Sequence, residues 1–207
     1  RGNRFLTVRF PATRMRNAYG GAAEFANALG VQCPTQPLYE ILPDERAAAV
    51  ARLAELGLVS DGQVRPFVAA FVGGHLEKRW PQDRWLELLT AVQASGARLV
   101  VFIGPEEVAS GARLQSDGPV DLRLVPPQPL RAFAALLGHA ALLITPDSGP
   151  MHLAVALRVP TLALLQRQRS WFYAPQGADD RALFQPSCAD VLSALTAHPR
   201  WPAISAG

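Results

Sequence analysis

From residue 66 onward, short wholly apolar runs alternate with segments in which apolar residues recur every three or four positions. The runs at 67–72, 98–103, 121–125, 141–145 and 161–165 predict strands. Their apolar residues follow one another without polar alternates, so the strands are expected to be buried on both faces. Segments 85–95, 106–115, 130–137 and 151–157 predict the helices between them, and on the first of these Trp85, Leu88, Leu89 and Val92 share one face. Strands alternating with helices in this way indicate parallel pairing through crossover helices, an α/β doubly wound parallel sheet.

The chain before Pro66 reads differently. It offers a strand at 4–10, a helix at 18–29, a break at Cys33-Pro34-Thr35-Gln36-Pro37 and a helix at 44–56, with Asp44 as its N-cap and Gly57 as its stop. One strand and two helices cannot close a core. Residues 1–60 are therefore expected to be the tail of an N-terminal domain plus a connector, and 61–198 the domain that carries the sheet. Beyond Leu165 the sequence is punctuated by Pro and Gly until a helix at 189–197, and 199–207 is expected to be a loose end. The first residue is Arg and no leader pattern follows, so the chain is treated as a fragment.

Composition narrows the class. Apolar residues make up 49% and charged residues 18% of the 207, which excludes a disordered chain. The net charge of +3 comes from Arg1, Arg4, Arg9, Arg14 and Arg16; from Asn17 onward fifteen basic residues face seventeen acidic ones. A nucleic-acid-binding face is not expected on that body. No apolar run reaches the roughly 18–20 residues of a membrane span, so any membrane association is expected to be peripheral at most. Cys33 and Cys188 lie far apart and make neither a disulfide framework nor a metal cluster, which fits a reducing compartment.

Three turns, each directly after a strand, carry candidate chemistry. The segment Thr145-Pro146-Asp147-Ser148-Gly149-Pro150-Met151-His152 passes from a buried strand into a helix, where free amides favour an anion such as phosphate. Gly149 permits close approach of a ligand, and His152 sits on the first helical turn. After the strand at 67–72, Gly73 and Gly74 permit the same approach, and Lys78, the chain's sole lysine, can neutralise a diphosphate as a mobile point charge. After the strand at 98–103, Gly104-Pro105-Glu106-Glu107 places carboxylates where ribose hydroxyls bind in other nucleotide folds. Each turn also has an ordinary structural reading: Asp147 or Ser148 as an N-cap, Lys78 as a solvated charge, and Glu106 as an acid at a helix N-terminus. A serine hydrolase built on Ser148 and His152 is disfavoured, since Gly-x-Ser-x-Gly is absent.

Taken together, Lys78-Arg79-Trp80-Pro81, the Gly104 turn, the 130–143 segment and Asp147-Ser148-Gly149-Pro150-Met151-His152-Leu153-Ala154 leading to Pro160-Thr161 resemble the C-terminal domain of the family 9 glycosyltransferases, the ADP-heptose:lipopolysaccharide heptosyltransferases and their relatives. The resemblance covers about residues 66–165. It implies the C-terminal half of a GT-B fold, made of two Rossmann-like domains with the nucleotide-sugar held mainly by the C-terminal one. It also implies transfer of a heptose from ADP-heptose to the lipopolysaccharide inner core, with inversion, with no metal or other cofactor, and in the cytoplasm or at the inner face of the bacterial inner membrane. By the same resemblance Lys78 contacts the donor phosphates, Ser148, Gly149 and His152 hold the diphosphate, Asp147 lies near the sugar, and Glu107 binds the ribose. Asp147 and His152 are the expected catalytic residues, and Gly73, Gly74, Lys78, Glu107, Ser148 and Gly149 the expected donor-binding set. Some relatives carry hydroxyl residues where this chain has Gly73 and Gly74. The family's proposed base lies near the start of the N-terminal domain, which this chain lacks, so the isolated chain is expected to bind donor without turnover. The alternative is a non-catalytic nucleotide-sugar-binding or interaction module.

Overall fold

The apolar runs form the centre of a parallel sheet in the computed structural model, which describes residues 17–205. A two-stranded hairpin comes first, β1 (Val59–Ser60) against β2 (Gln63–Val64). It turns on Asp61-Gly62, whose φ angles of 53° and 72° are those of the mirror-image turn that favours Asp-Gly. The strands β3 (Val68–Phe71), β4 (Leu99–Phe102), β5 (Arg123–Val125), β6 (Leu142–Pro146), β7 (Thr161–Leu165) and β8 (Arg181–Phe184) then make one sheet in the order β5-β4-β3-β6-β7-β8. Every neighbouring pair is parallel. All residues of β3, β4, β6 and β7 are buried, as their lack of alternation requires.

Helices α1 (Gly21–Ala28), α2 (Pro43–Glu55), α3 (Gln82–Ala94), α4 (Val108–Asp117), α5 (Leu130–Leu137), α6 (Gly149–Leu157), α7 (Cys188–Thr196) and α8 (Trp201–Ser205) surround it. Alternate strand residues feed two cores. Val68, Ala70, Val101 and Ile103 pack with Trp85, Leu88 and Leu89 of α3 and Val191 and Leu195 of α7. Phe67, Ala69, Val100 and Phe102 pack with Ala49 and Leu53 of α2, Leu136 of α5 and Ala154 of α6. The sheet is thus covered on both faces, the doubly wound arrangement expected.

Several local features differ from the sequence reading. The predicted strand at 4–10 lies outside the described residues. Helix α2, expected within a connector, packs against the sheet through Ala49 and Leu53. Its first residue is Pro43, and its entry is satisfied by Glu45, whose carboxylate accepts the Leu42 N–H at 2.9 Å, rather than by Asp44. Strand β5 begins only at Arg123, because Asp121 has a φ of 59° that breaks the extended run. Strand β8 is not among the predicted strands: it is an edge strand whose apolar run is only Ala182-Leu183-Phe184, with Phe184 exposed. The segment 199–207, expected to be loose, carries α8, and Ile204 is fully buried against the α3 side of the sheet. Ile204→Ala should therefore lower unfolding stability by about 2 kcal/mol, at the bottom of the range for buried aliphatic truncations because so short a helix readjusts. Urea denaturation measures it, and a change within roughly 0.5 kcal/mol, as for an exposed residue, would contradict the packing.

Chain order fixes where a ligand can sit. The chain runs outward from β3 to β4 and β5, then resumes at β6 on the other side of β3. The crevice beyond the carboxyl ends of β3 and β6 is the topological switch point at which open sheets of this kind bind ligands.

Candidate functional site

The turn leaving β3 is anchored before it is chemical. Trp80 is 2% exposed, donates its indole N–H to Pro186 O at 3.1 Å and meets Trp85 edge-on with centroids 5.1 Å apart. This anchor holds the short helical turn Leu76–Lys78 over the crevice. Arg79 donates Nε–H to Gly74 O at 2.5 Å and a terminal N–H to Glu107 Oε1 at 2.7 Å, while Gly74 N–H reaches the same carboxylate at 3.2 Å. Glu107 is buried and ties the β3 turn to the β4 turn. A Cβ on Gly73 or on Gly104 would overlap its carboxylate, so Gly73 makes room for Glu107 instead of opening directly to the cavity. Gly74 has a φ of 126°, a backbone setting that side chains rarely adopt.

The turn leaving β6 brings in the rest. Asp147 is 3% exposed; its Oδ2 accepts from Lys78 Nζ at 2.8 Å and from the buried Ser170 hydroxyl at 2.5 Å. Ser148 is the N-cap of α6, but its hydroxyl pairs with that of Thr145 at 3.0 Å and does not cap the helix. Pro150 supplies no N–H and the Met151 N–H is used on Ser148 O at 3.1 Å. Of the first three helical residues, Gly149 therefore has the amide suited to an anion, and a Cβ there would meet nothing within 4 Å.

His152 is enclosed by two aromatic rings. Its Nδ1 lies 2.7 Å from the Tyr19 hydroxyl, and Tyr173 approaches edge-on with centroids 5.8 Å apart. The Tyr173 ring also lies 5.9 Å from Lys78 Nζ, within cation–π range. Burial holds the His152 imidazole below its ordinary pKa; Lys78 adds to the effect and Asp147 opposes it. Burial also raises the Tyr19 phenol well above its usual value, with Asp180 and Asp147 reinforcing it. His139, outside the site, is likewise lowered by burial and by Arg46. The unfolded chain keeps imidazoles near about 6.5, so below that pH it takes up protons that the folded chain resists. The contribution of His152 and His139 to stability is complete above about pH 6.5 and is lost as pH falls toward and through their lowered values. The urea midpoint should accordingly drop between about pH 7.5 and about pH 5.5, and a constant midpoint would contradict these surroundings.

These turns border one cavity of about 450 Å³ lined by Gly74, Lys78, Glu107, Asp147, Ser148, Gly149 and His152 among others. Seven of the eight residues singled out in the sequence thus meet there; Gly73 stands behind Glu107. A second, more apolar cavity of about 290 Å³ adjoins it, sharing Phe71, Gly104, Pro105, Gly149 and Pro150 and adding Phe102, Phe133, Leu130 and Leu153. Sequence reasoning missed Tyr19, Arg79, Ser170 and Tyr173. Arg79 sits in a segment already noted but was given no role. Ser170 and Tyr173 lie in the helical turn Gln168–Tyr173 that follows β7, another strand end on the ligand side, and that position was the available signal. Among the described residues no group of three or more His, Cys, Asp or Glu side chains is placed to hold a metal ion.

The chain is similar in sequence and fold to known proteins. Lipopolysaccharide heptosyltransferase 1 of Escherichia coli K12 is 27% identical over 88 residues, covering 42% of this chain and 28% of that protein. A glycosyltransferase family 9 structure from Veillonella parvula aligns at a TM-score of 0.74 with 26% identity, over 86% of this chain and 51% of that one. The structure of E. coli ADP-heptose lipopolysaccharide heptosyltransferase II aligns at 0.62 with 20% identity, over 86% and 55%, and shares the fold. This chain thus spans about half the length of its solved relatives. The family model for glycosyltransferase family 9 (heptosyltransferase) matches residues 21–193, and with the switch-point cavity in place between β3 and β6, the chain belongs to that family.

Proposed function

We propose that this chain supplies the donor-binding half of an enzyme that transfers a heptose, or a related sugar, from ADP-heptose to the lipopolysaccharide inner core with inversion and without a metal. The observation that carries this reading is the convergence of Lys78, Asp147, His152 and the start of α6 on one cavity at the switch point. The adjoining cavity, walled by Phe71, Phe102, Phe133 and Leu153, suits the flat apolar face of a nucleobase. The diphosphate then lies at the Gly149 amide and the Ser148 hydroxyl, with Lys78 offsetting its charge. Glu107 Oε1 already accepts from Arg79 and Gly74, and the carboxylate keeps further accepting capacity for a ribose hydroxyl.

Asp147 is an anion beside an anionic ligand, which disfavours it as a phosphate contact. Its carboxylate, fixed by Lys78 and Ser170, serves the sugar hydroxyls or the positive charge that develops at the anomeric carbon. His152 faces the leaving diphosphate and stabilises the charge gathering there more than it stabilises the bound donor. The acceptor and the base that deprotonates its hydroxyl are assigned to an N-terminal domain, completing a GT-B enzyme. Activity is placed in the cytoplasm, with at most peripheral contact with the inner membrane. No helix among the described residues is long and apolar enough to cross one.

Transfer is tested by incubating the full-length protein with ADP-heptose and heptose-free lipopolysaccharide core in the presence of EDTA. Release of ADP and a heptose mass increment on the acceptor, with the anomeric centre inverted by NMR, is the expected result. Failure of both signals overturns the activity, and retained configuration overturns the stereochemistry.

A further inference from the structure

Tyr19 lies outside the three strand-end turns, yet it touches the site's histidine. Its hydroxyl is 2.7 Å from His152 Nδ1, across 133 residues of sequence. The contact is built rather than incidental. Asn17 is buried; its side-chain oxygen accepts the Tyr19 N–H at 2.9 Å and its amide donates to Ala174 O at 2.9 Å. The backbone that carries Tyr19 is thereby pinned to the segment that carries Tyr173, whose ring closes on His152 from another side. Tyr19 itself meets the imidazole at a tilt of 59°, centroids 5.7 Å apart. The ring is held on both sides with Nδ1 turned to the phenol, and His152 lines the cavity.

We infer that Tyr19 is a positioning residue: its hydroxyl donates to His152 Nδ1 and so fixes the imidazole as the Nε2–H tautomer, ready to donate to the leaving diphosphate. The inference rests on the placement of the diphosphate at the start of α6 proposed above. Direction of donation follows from chemistry. A phenol is a better acid than a neutral imidazole N–H, and a neutral imidazole is a better acceptor than a phenol oxygen, so O–H···N is the favoured sense. Burial, reinforced by Asp180 and Asp147, keeps the phenol protonated. Reversed donation would leave the Nε2 lone pair facing a diphosphate, a repulsive contact where the reaction needs a donor. A histidine on the first turn of α6 would otherwise populate both tautomers, and a random tautomer is a donor only part of the time.

The test is long-range proton–nitrogen NMR of the histidine rings in the ¹⁵N-labelled 207-residue chain near neutral pH, with the His152 signals identified by their loss in His152→Asn. In the unsubstituted chain Nε2 is expected to be protonated and Nδ1 bare. In Tyr19→Phe the two nitrogen signals should move toward each other as both tautomers become populated, while the backbone amide spectrum stays that of a folded chain. A protonated Nδ1 in the unsubstituted chain, or an unaltered tautomer balance in Tyr19→Phe, overturns the inference. Should Tyr19→Phe fail to fold, Tyr19→Leu, which lacks the same hydroxyl, is read in the same way. Adding ADP separates the two ideas: a shift of the His152 Nε2 signal supports the diphosphate placement. An unmoved signal with the Nε2–H form intact leaves Tyr19 in control of the ring and overturns the placement.

Discussion

Lys78→Ala is expected to damage folding and binding together. The ammonium is the cationic partner of Asp147, a carboxylate 3% exposed. Removing one member of a buried pair costs about 3–5 kcal/mol because the other is left charged in a poor solvent. Here Ser170 keeps its hydrogen bond to the same oxygen and the lysine side chain is 24% exposed, which brings the expected loss to about 2–3 kcal/mol. ADP affinity should fall by roughly 1–3 kcal/mol more, the scale of a charge-assisted hydrogen bond. Urea denaturation and calorimetry on the same preparation separate the two losses. The double variant Lys78→Ala with Asp147→Asn should recover stability relative to Lys78→Ala alone, since the orphaned charge is gone. Unchanged stability and unchanged affinity in the single variant would return Lys78 to an ordinary surface charge.

Asp147→Asn is expected to split binding from turnover. The substitution keeps the shape of the side chain and a carbonyl oxygen for Ser170 and Lys78, but removes the negative charge from the cavity. ADP binding by the 207-residue chain should stay near its original strength or tighten, because Lys78 is released from its ion pair and the repulsion of the diphosphate is lifted. In the full-length protein, the proposed transfer should fall by roughly 10²–10³, the usual effect of removing one preorganised electrostatic group. The opposite pattern, with ADP binding abolished in a folded variant, would show that the carboxylate organises the turn and would withdraw its contact with the sugar.

How far the sequence carried depends on whether the information was local. Strands such as 141–145 were visible as unbroken apolar runs, and the turns behind them were visible because glycines, the sole lysine and a Ser-Gly pair sat where buried strands ended. Those turns did converge on one cavity. What stayed hidden came from contacts between distant residues. Nothing in the pattern around Tyr19 signals a bond to a histidine 133 positions away, nor does Ser170 in its helical turn advertise a partner in Asp147. The Arg79–Glu107 pair, 28 positions apart, explains Gly73 as space for a carboxylate, a reading that only the fold supplies. Edge strand β8 and helix α8 were missed because partly exposed short elements carry little periodicity, and the burial of Ile204 is set by the α3 side of the core it meets.

In the function proposed, Lys78 and the start of α6 hold the diphosphate of an adenine nucleotide in place of a metal. Isothermal titration calorimetry of the 207-residue chain with ADP, UDP and GDP in EDTA measures it most directly. Saturable ADP binding without divalent cation, tighter than that of UDP or GDP, is expected. Binding that appears only after magnesium is added, or no binding of ADP under either condition, would contradict it.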